Sequence, residues 1–520
     1  MIMDTTGTSS AAAAATPTAT APHGVGQQHH SRRQHPFGLS PVRTVVTSFN
    51  PKSSSVSSTG AGTGDVYDDG DWVLCVTGND VQNIVACASS SGEIQLYDRT
   101  TLRLLQSLDG RSQQSQSQQH VQDQHIVTEM SFDTFDANVL AVTSTDGTLR
   151  LFDIRQHNNA GSAGTGSTAG TGTAAVAQMK LPRPKEEALC LAVGFGGNVT
   201  AVGSNKGKIH FFDIRQARQL VGTYSQSHTD EITKLCFQPS TAGDVAILPS
   251  GRPSTTPMLL SGSEDGLACI FDTSQPSEDA ALQNILAVQT PIREVGFFGP
   301  NMDGVYCLTG SECMKLYHMN DSVCKMDFGM DVRSQLTNSL HQYNQQQQMG
   351  QHSGTFGTNK TSQQNVPQME YLVNCHWDAA QQQLLLLAAS SKGDGGVFEV
   401  NQNTGMISPR HCLRGGHRGV VRSWYHPSAS SSFITVGEDA RMCEWDPSLC
   451  LTQPLKTTTP GTTVAPMPMN AYTGLSSPTS SAKKRTIDGT RGGGGGSSSS
   501  GSGGGKTRRA RSRMSAATPY

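Results

Sequence analysis

Three observations predict an all-β fold, a closed ring of seven four-stranded blades. A turn followed by an aromatic-Asp pair recurs along the chain. From Trp72 to Asp446, with low-complexity inserts set aside, the copies take up about 41 residues each, the length of a four-stranded blade. The low-complexity stretches fall between candidate strands, at loop tips where added length costs little.

In chain order, the full copies are "SSSGEIQLYD" (Gly92, Asp98), "TSTDGTLRLFD" (Gly147, Asp153), "GSNKGKIHFFD" (Gly207, Asp213), "SGSEDGLACIFD" (Gly266, Asp272) and "VGEDARMCEWD" (Ala440, Asp446). Each has an apolar run before the turn and alternation after it, as in Ile94/Leu96, Leu149/Leu151, Ile209/Phe211 and Ala268/Ile270. Period-2 alternation across a tight turn is the pattern of a β-hairpin. Two weaker copies, "TGSECMKLYH" near Tyr317 and "KGDGGVFEV" near Phe398, fill the gap before the last one. They lack the Asp turn and the aromatic-Asp end. Seven units close a ring, which leaves no long unpaired edge at the closure.

Composition sets the boundaries. Only 15% of residues are charged and 35% apolar, low for a uniformly packed chain. Residues 1–64 are Ala, Thr, Ser and Gly with Asp4 as the one acid, and read as a disordered leader. The ring is expected over 65–450, with inserts near 109–124, 157–178, 240–257 and 335–368, and 451–520 as a disordered basic tail. The tail carries ten Lys or Arg and one Asp, a surplus of nine, so the net charge of −2 leaves −11 on the remainder. An acidic body argues against nucleic-acid binding through the ring. The twelve cysteines show no C-x-x-C and mostly sit in apolar runs, as buried thiols of a reducing compartment do. No apolar run approaches a membrane span, and the Ala11–Ala15 run is too short for a signal-peptide core. A Ser-rich, acid-poor leader also has the composition of a transit peptide, the weaker of the two readings. The expectation is a soluble intracellular protein without membrane contact.

The segment "GHRGVVRSWYHPSASSSFITVGEDARMCEWD" carries Gly416-His417 and, later, Trp445-Asp446. With the copies above it resembles the WD-repeat (WD40) β-propeller family over about Trp72 to Pro447. The fold expected is therefore a seven-bladed WD40 β-propeller with disordered tails and low-complexity loop inserts. The resemblance implies that His417, Thr435, Asp439 and Trp445 form a buried hydrogen-bond network inside a blade. His228, Ser261 and Asp265 repeat it, with Phe271 for Trp and so without the indole donor.

The competing reading of these residues is a Ser/Thr-His-Asp hydrolase. That needs a nucleophile exposed at an elbow beside an oxyanion hole, and "FITVG" is an apolar strand. Glu444 stands where the other copies have Leu96, Leu151, Phe211 and Ile270, so a basic partner or a raised carboxyl pKa is expected there. Metal chemistry is poorly supported: His29, His30 and His35, and likewise His411, Cys412 and His417, make no complete tetrahedral set. The Gly-rich tract after Arg491 lacks GK[ST] and follows no strand, so no phosphate loop is expected.

"VTSTDGTLRLFDIR" ends blade two with Asp153 and Arg155, and blade three repeats "FFDIR" with Asp213 and Arg215. The first is similar to the WD box of substrate receptors for cullin-RING ubiquitin ligases, where an Arg docks a polar adaptor surface. In blade three Lys206 replaces the acid of that box. In the tail, Lys483, Lys484 and Arg485, then Lys506, Arg508, Arg509, Arg511 and Arg513, read as a nuclear-import signal or a weak RNA contact. The expected function is a non-enzymatic scaffold in nucleus or cytoplasm that binds proteins or peptides on its faces. No cofactor and no small-molecule substrate are expected. The alternative is a ubiquitin-ligase substrate receptor.

Overall fold

The computed structural model describes residues 38–47, 49, 71–110, 125–133, 136–156, 173–194, 199–214, 219–239, 257–351, 366–427 and 430–448. Two short strands come first, β1 (Gly38–Leu39) and β2 (Arg43–Val46). Blade one is β3 (Val73–Asn79), β4 (Ile84–Ser89), β5 (Glu93–Asp98) and β6 (Leu104–Asp109). Blade two is β7 (Val127–Phe132), β8 (Val139–Ser144), β9 (Thr148–Asp153) and β10 (Ala177–Lys180). Blade three is β11 (Ala188–Gly194), β12 (Val199–Ser204), β13 (Ile209–Asp213) and β14 (Gln219–Tyr224). Blade four is β15 (Ile232–Phe237), β16 (Met258–Ser263) and β17 (Leu267–Asp272), then the one-turn helix α1 (Glu278–Ala281) and β18 (Leu282–Ala287).

Blade five is β19 (Ile292–Phe298), β20 (Gly304–Thr309), β21 (Met314–His318) and β22 (Asp321–Asp327), followed by helix α2 (Val332–Gln351). Blade six is β23 (Tyr371–Asp378), β24 (Gln383–Ala389), β25 (Gly395–Val400) and β26 (Ile407–Leu413). Blade seven is β27 (Val421–Tyr425), β28 (Phe433–Gly437) and β29 (Arg441–Trp445), completed by β2. The molecule is thus an all-β, seven-bladed propeller, and the weak fifth and sixth copies are complete blades.

The turns explain the repeat. Gly92, Gly147, Gly207 and Gly266 take φ between 66° and 81°, the left-handed region open to glycine, and Ala440 holds the same place in blade seven at φ 55°. At Gly147 a Cβ would also meet the Glu186 carbonyl oxygen at 2.1 Å. Every inner strand carries a bulge near its start, at the second residue in six blades and at the third, Val373, in blade six; examples lie between Val127 and Glu129 and between Ile232 and Lys234. The bulged Thr128 and Thr233 hydroxyls donate to Ala188 O (2.9 Å) and Ile292 O (2.8 Å), the first residues of the next blades. Local geometry is thereby converted into blade-to-blade cohesion.

The core is divided among the blade interfaces. One cluster joins Ala86, Leu96 and Met130 between blades one and two, and another joins Val73, Tyr97, Val436 and Met442 across the closure. Because each blade is covered on both faces, middle strands such as β8 and β9 are buried at nearly every position. Burial of that kind supplies the main stabilisation of the ring.

Three expected boundaries shift. The leader, expected to be structureless through 64, supplies two strands. β2 pairs antiparallel with β29 and completes blade seven, while β1 lies parallel to the outer strand of blade six. Leu39 is 1% exposed and wedges into the core between blades six and seven. The expected insert 157–178 ends in structure: Thr173 bridges Leu108, and Ala177–Lys180 is the outer strand of blade two. The Gln-rich stretch 335–368 opens within α2. Val332, Leu336 and Leu340 recur at four-residue spacing and are fully buried against blades five and six, enough to fix a helix that is otherwise polar. The expected tail, from 451, lies outside the described residues.

Candidate functional site

In blade seven, the loop before β27 turns His417 inward, toward β28 and the β28–β29 turn. His417 Nδ1 lies 3.0 Å from Asp439 Oδ1, and its Nε2 lies 2.8 Å from Thr435 Oγ1. The Trp445 indole N–H donates to the same Thr435 oxygen at 2.8 Å, and Arg418 N–H donates to Asp439 Oδ2 at 2.7 Å. Burial opposes a charge on His417, but the Asp439 carboxylate prevails and raises the imidazole pKa to about 9. The partner Asp439 is held below its ordinary value, burial being outweighed by His417 and two backbone N–H groups. Thr435 is 1% exposed and its oxygen is enclosed by His417 and Trp445, so no substrate carbonyl can reach it.

Blade four repeats the arrangement. His228 Nδ1 is 3.0 Å from Asp265 Oδ2, and its Nε2 is 2.7 Å from Ser261 Oγ. Phe271 fills the Trp position, fully buried and without a donor, and Ser261 Oγ lies 3.4 Å from the Cys269 carbonyl oxygen. Other blades fill the seat with residues the repeat did not reveal. In blade three Glu186 accepts from Ser204 Oγ (2.7 Å) and lies 3.0 Å from His210 Nε2. Blade two uses Arg150, 1% exposed, which donates to Gly110 O at 2.7 Å and pairs with Asp146. In blade one Tyr97 O–H donates to Gln95 Oε1 at 2.6 Å, and Gln95 in turn donates to Glu93. A positional signal was present: Gln95, Arg150 and His210 each stand three residues before the Asp that closes the third strand of their copies.

Glu444 is buried at 8% exposure and finds its base in the leader, where Arg43 Nε lies 2.6 Å from its Oε2. Burial raises the Glu444 pKa, and Arg43 opposes that only in part. The same guanidinium donates to the Thr100 carbonyl of blade one, so one side chain spans the closure.

Asp153 and Arg155 form a bidentate pair at the edge of blade two, with Nε–Oδ1 2.8 Å and Nη2–Oδ2 2.7 Å. The Arg155 side chain is 60% exposed, and its pairing holds Asp153 below the ordinary carboxylate range. Asp213 is half-buried at the end of β13; Arg215 and the tail residues Lys483–Arg485 and Lys506–Arg513 lie outside the described residues.

The residues that follow the bulges include Glu129, Lys234 and Glu294, on the inner strands of blades two, four and five. Lys234 Nζ meets Glu129 Oε1 at 2.5 Å and Glu294 Oε1 at 3.6 Å. Burial would discharge this ammonium, but the two carboxylates raise its pKa instead. Cys75, at the same position in blade one, has its thiol pushed up to about 12 by burial, which disables it as a nucleophile. Among the described residues no group of three or more His, Cys, Asp or Glu could hold a metal, and the described cysteines are free. His411 and Cys412 are buried in β26; His29, His30 and His35 are outside the described residues. No helix among the described residues is long and apolar enough to cross a membrane.

No family model matches the chain. It is 25% identical over 373 residues to WD repeat-containing protein GTS1 of Arabidopsis thaliana, covering 69% of this chain and 77% of that protein. To the WD repeat-containing protein 89 homolog of Dictyostelium discoideum it is 22% identical over 374 residues, 72% of this chain and 83% of that one. A chain in the crystal structure of the mitotic checkpoint complex superposes with a TM-score of 0.50 at 13% identity. It covers 84% of this chain and 98% of its own length, a likeness of fold alone.

Proposed function

This chain is a WD-repeat β-propeller with relatives of the protein 89 kind, and from that premise we propose that it is a non-enzymatic scaffold for protein or peptide partners. One observation carries the reading. The residues with hydrolase composition are consumed inside the blades: His417 and His228 are each 4% exposed and hold the same partners in two blades. A polar set repeated at blade spacing holds a blade together, and what remains for function is the surface of the loops. Affinity capture with the full chain tests it. Defined protein partners are expected, with no hydrolysis of ester or peptide substrates. Turnover abolished by His417→Gln in a protein that stays folded would overturn the reading.

The ubiquitin-ligase alternative has one observation in its favour, the exposure of Arg155. Its guanidinium is already forked on Asp153, so adaptor docking would have to exchange that partner. Capture with Arg155→Ala and Arg215→Ala decides it: an adaptor absent already from the wild-type sample sinks the receptor role. For the basic tail we propose nuclear import, with weak RNA contact as its second use. Cutting the chain after Pro447 is expected to reduce nuclear entry, and undiminished entry would refute it.

A further inference from the structure

We propose that Ser227 is a phosphorylation site whose phosphoryl group displaces Glu278 from a backbone cradle and frees the rim of blade four. The connection from β14 to β15 turns three consecutive N–H groups toward one carboxylate. Ser225 N–H donates to Glu278 Oε2 at 2.5 Å, and Gln226 and Ser227 N–H donate to Oε1 at 2.8 Å each. The Ser227 hydroxyl adds a fourth bond to Oε1 at 2.7 Å. A concavity of successive N–H groups is an anion site, and here a side chain of the same chain occupies it.

Beyond this cradle, the segment that carries Glu278 is held by one buried side chain. Glu278 opens α1, a single turn capped by Ser277, in which Ala281 is the buried residue. Residues 274–277, 279 and 280 are exposed. The carboxylate is therefore the polar link between this loop and the β14–β15 connection, beside the apolar anchor of Ala281. A phosphoserine carries about −1.5 to −2 charges and three strong acceptor oxygens, and its attachment to the cradle makes it the favoured occupant. Two anions within hydrogen-bond distance of each other repel, so Glu278 leaves and α1 loosens.

Ser227 is half-buried beside the exposed Gln226, Thr229 and Asp230, and its hydroxyl is reached when Glu278 swings out. Asp230 and Glu231, three and four residues on, fit a protein kinase with a basic substrate groove. In the transfer an Oγ–P bond forms as the bond from the γ-phosphorus of ATP to its bridging oxygen breaks. ADP leaves, and the hydroxyl proton passes to the kinase's base.

The test uses the full chain with ATP and an acid-directed Ser/Thr kinase. Phosphate on Ser227 is expected by mass spectrometry, with amide exchange in 278–281 faster by about tenfold. No incorporation at Ser227, or incorporation without faster exchange, overturns the proposal. A charge swap needs no kinase. Ser227→Asp alone and Glu278→Lys alone should each open α1, and the double variant should close it again. Additive opening in the double variant would refute displacement.

Discussion

At the residue scale, the polar seats inside the blades are where sequence reasoning did best and also where it stopped. His417, Asp439, Thr435 and Trp445 converge as the WD signature implies, because each has a partner within 3.0 Å in a dry interior. The equivalents in blades one to three were legible only as a recurring position, since Gln95, Arg150 and Glu186 share no residue type with the signature. Replacing His417 by Gln removes the link between Asp439 and Thr435 and is expected to cost about 1–3 kcal/mol, measured by chemical denaturation.

The pH dependence of that link has a definite sign. A folded-state pKa of about 9 against an ordinary 6.5 means that its stabilisation is full below pH 6.5 and is lost as pH rises through 9. His376 does the opposite. Its ring stacks 4.5 Å from that of His426, and burial, then His426, lower its pKa to about 4. Stability should therefore fall as pH drops below 6.5, with the loss complete near 4. His376→Phe should remove that part of the acid-side slope in melts between pH 7 and 4.

At the element scale, hairpins with a turn glycine and an aromatic-Asp end were legible, because their signal is local. β1 and β2 were not. "GL" and "RTVV" carry too few residues for a periodic signal, and only the open edges of β26 and β29 give them a role. α2 was hidden for a related reason: Val332, Leu336 and Leu340 stand among Gln, Asn and Ser, and their spacing matters only once blades five and six offer a surface. Leu336→Ala should cost about 2–5 kcal/mol in thermal or denaturant unfolding, since the side chain is fully buried.

Glu444 belongs to this scale as well, because its partner lies on another strand. Glu444→Leu should not lower the melting temperature. The substitution ends the burial of a carboxylate and leaves Arg43, 39% exposed, in contact with water.

At the scale of the whole molecule, two features decide what the ring is. The leader closes it through β2, Leu39 and Arg43. Lys234 is paired with Glu129 and Glu294 across three inner strands, and the blade interiors are filled by paired polar groups, which leaves loop surfaces for partners. The central claim is that the signature residues build blades and perform no chemistry. The most direct measurement is the melting temperature of His417→Gln and His228→Gln, read beside the set of proteins each captures at a temperature where both are folded. Both variants should melt below wild type and capture the same proteins. Unchanged melting together with a lost partner or a lost catalytic activity would contradict it.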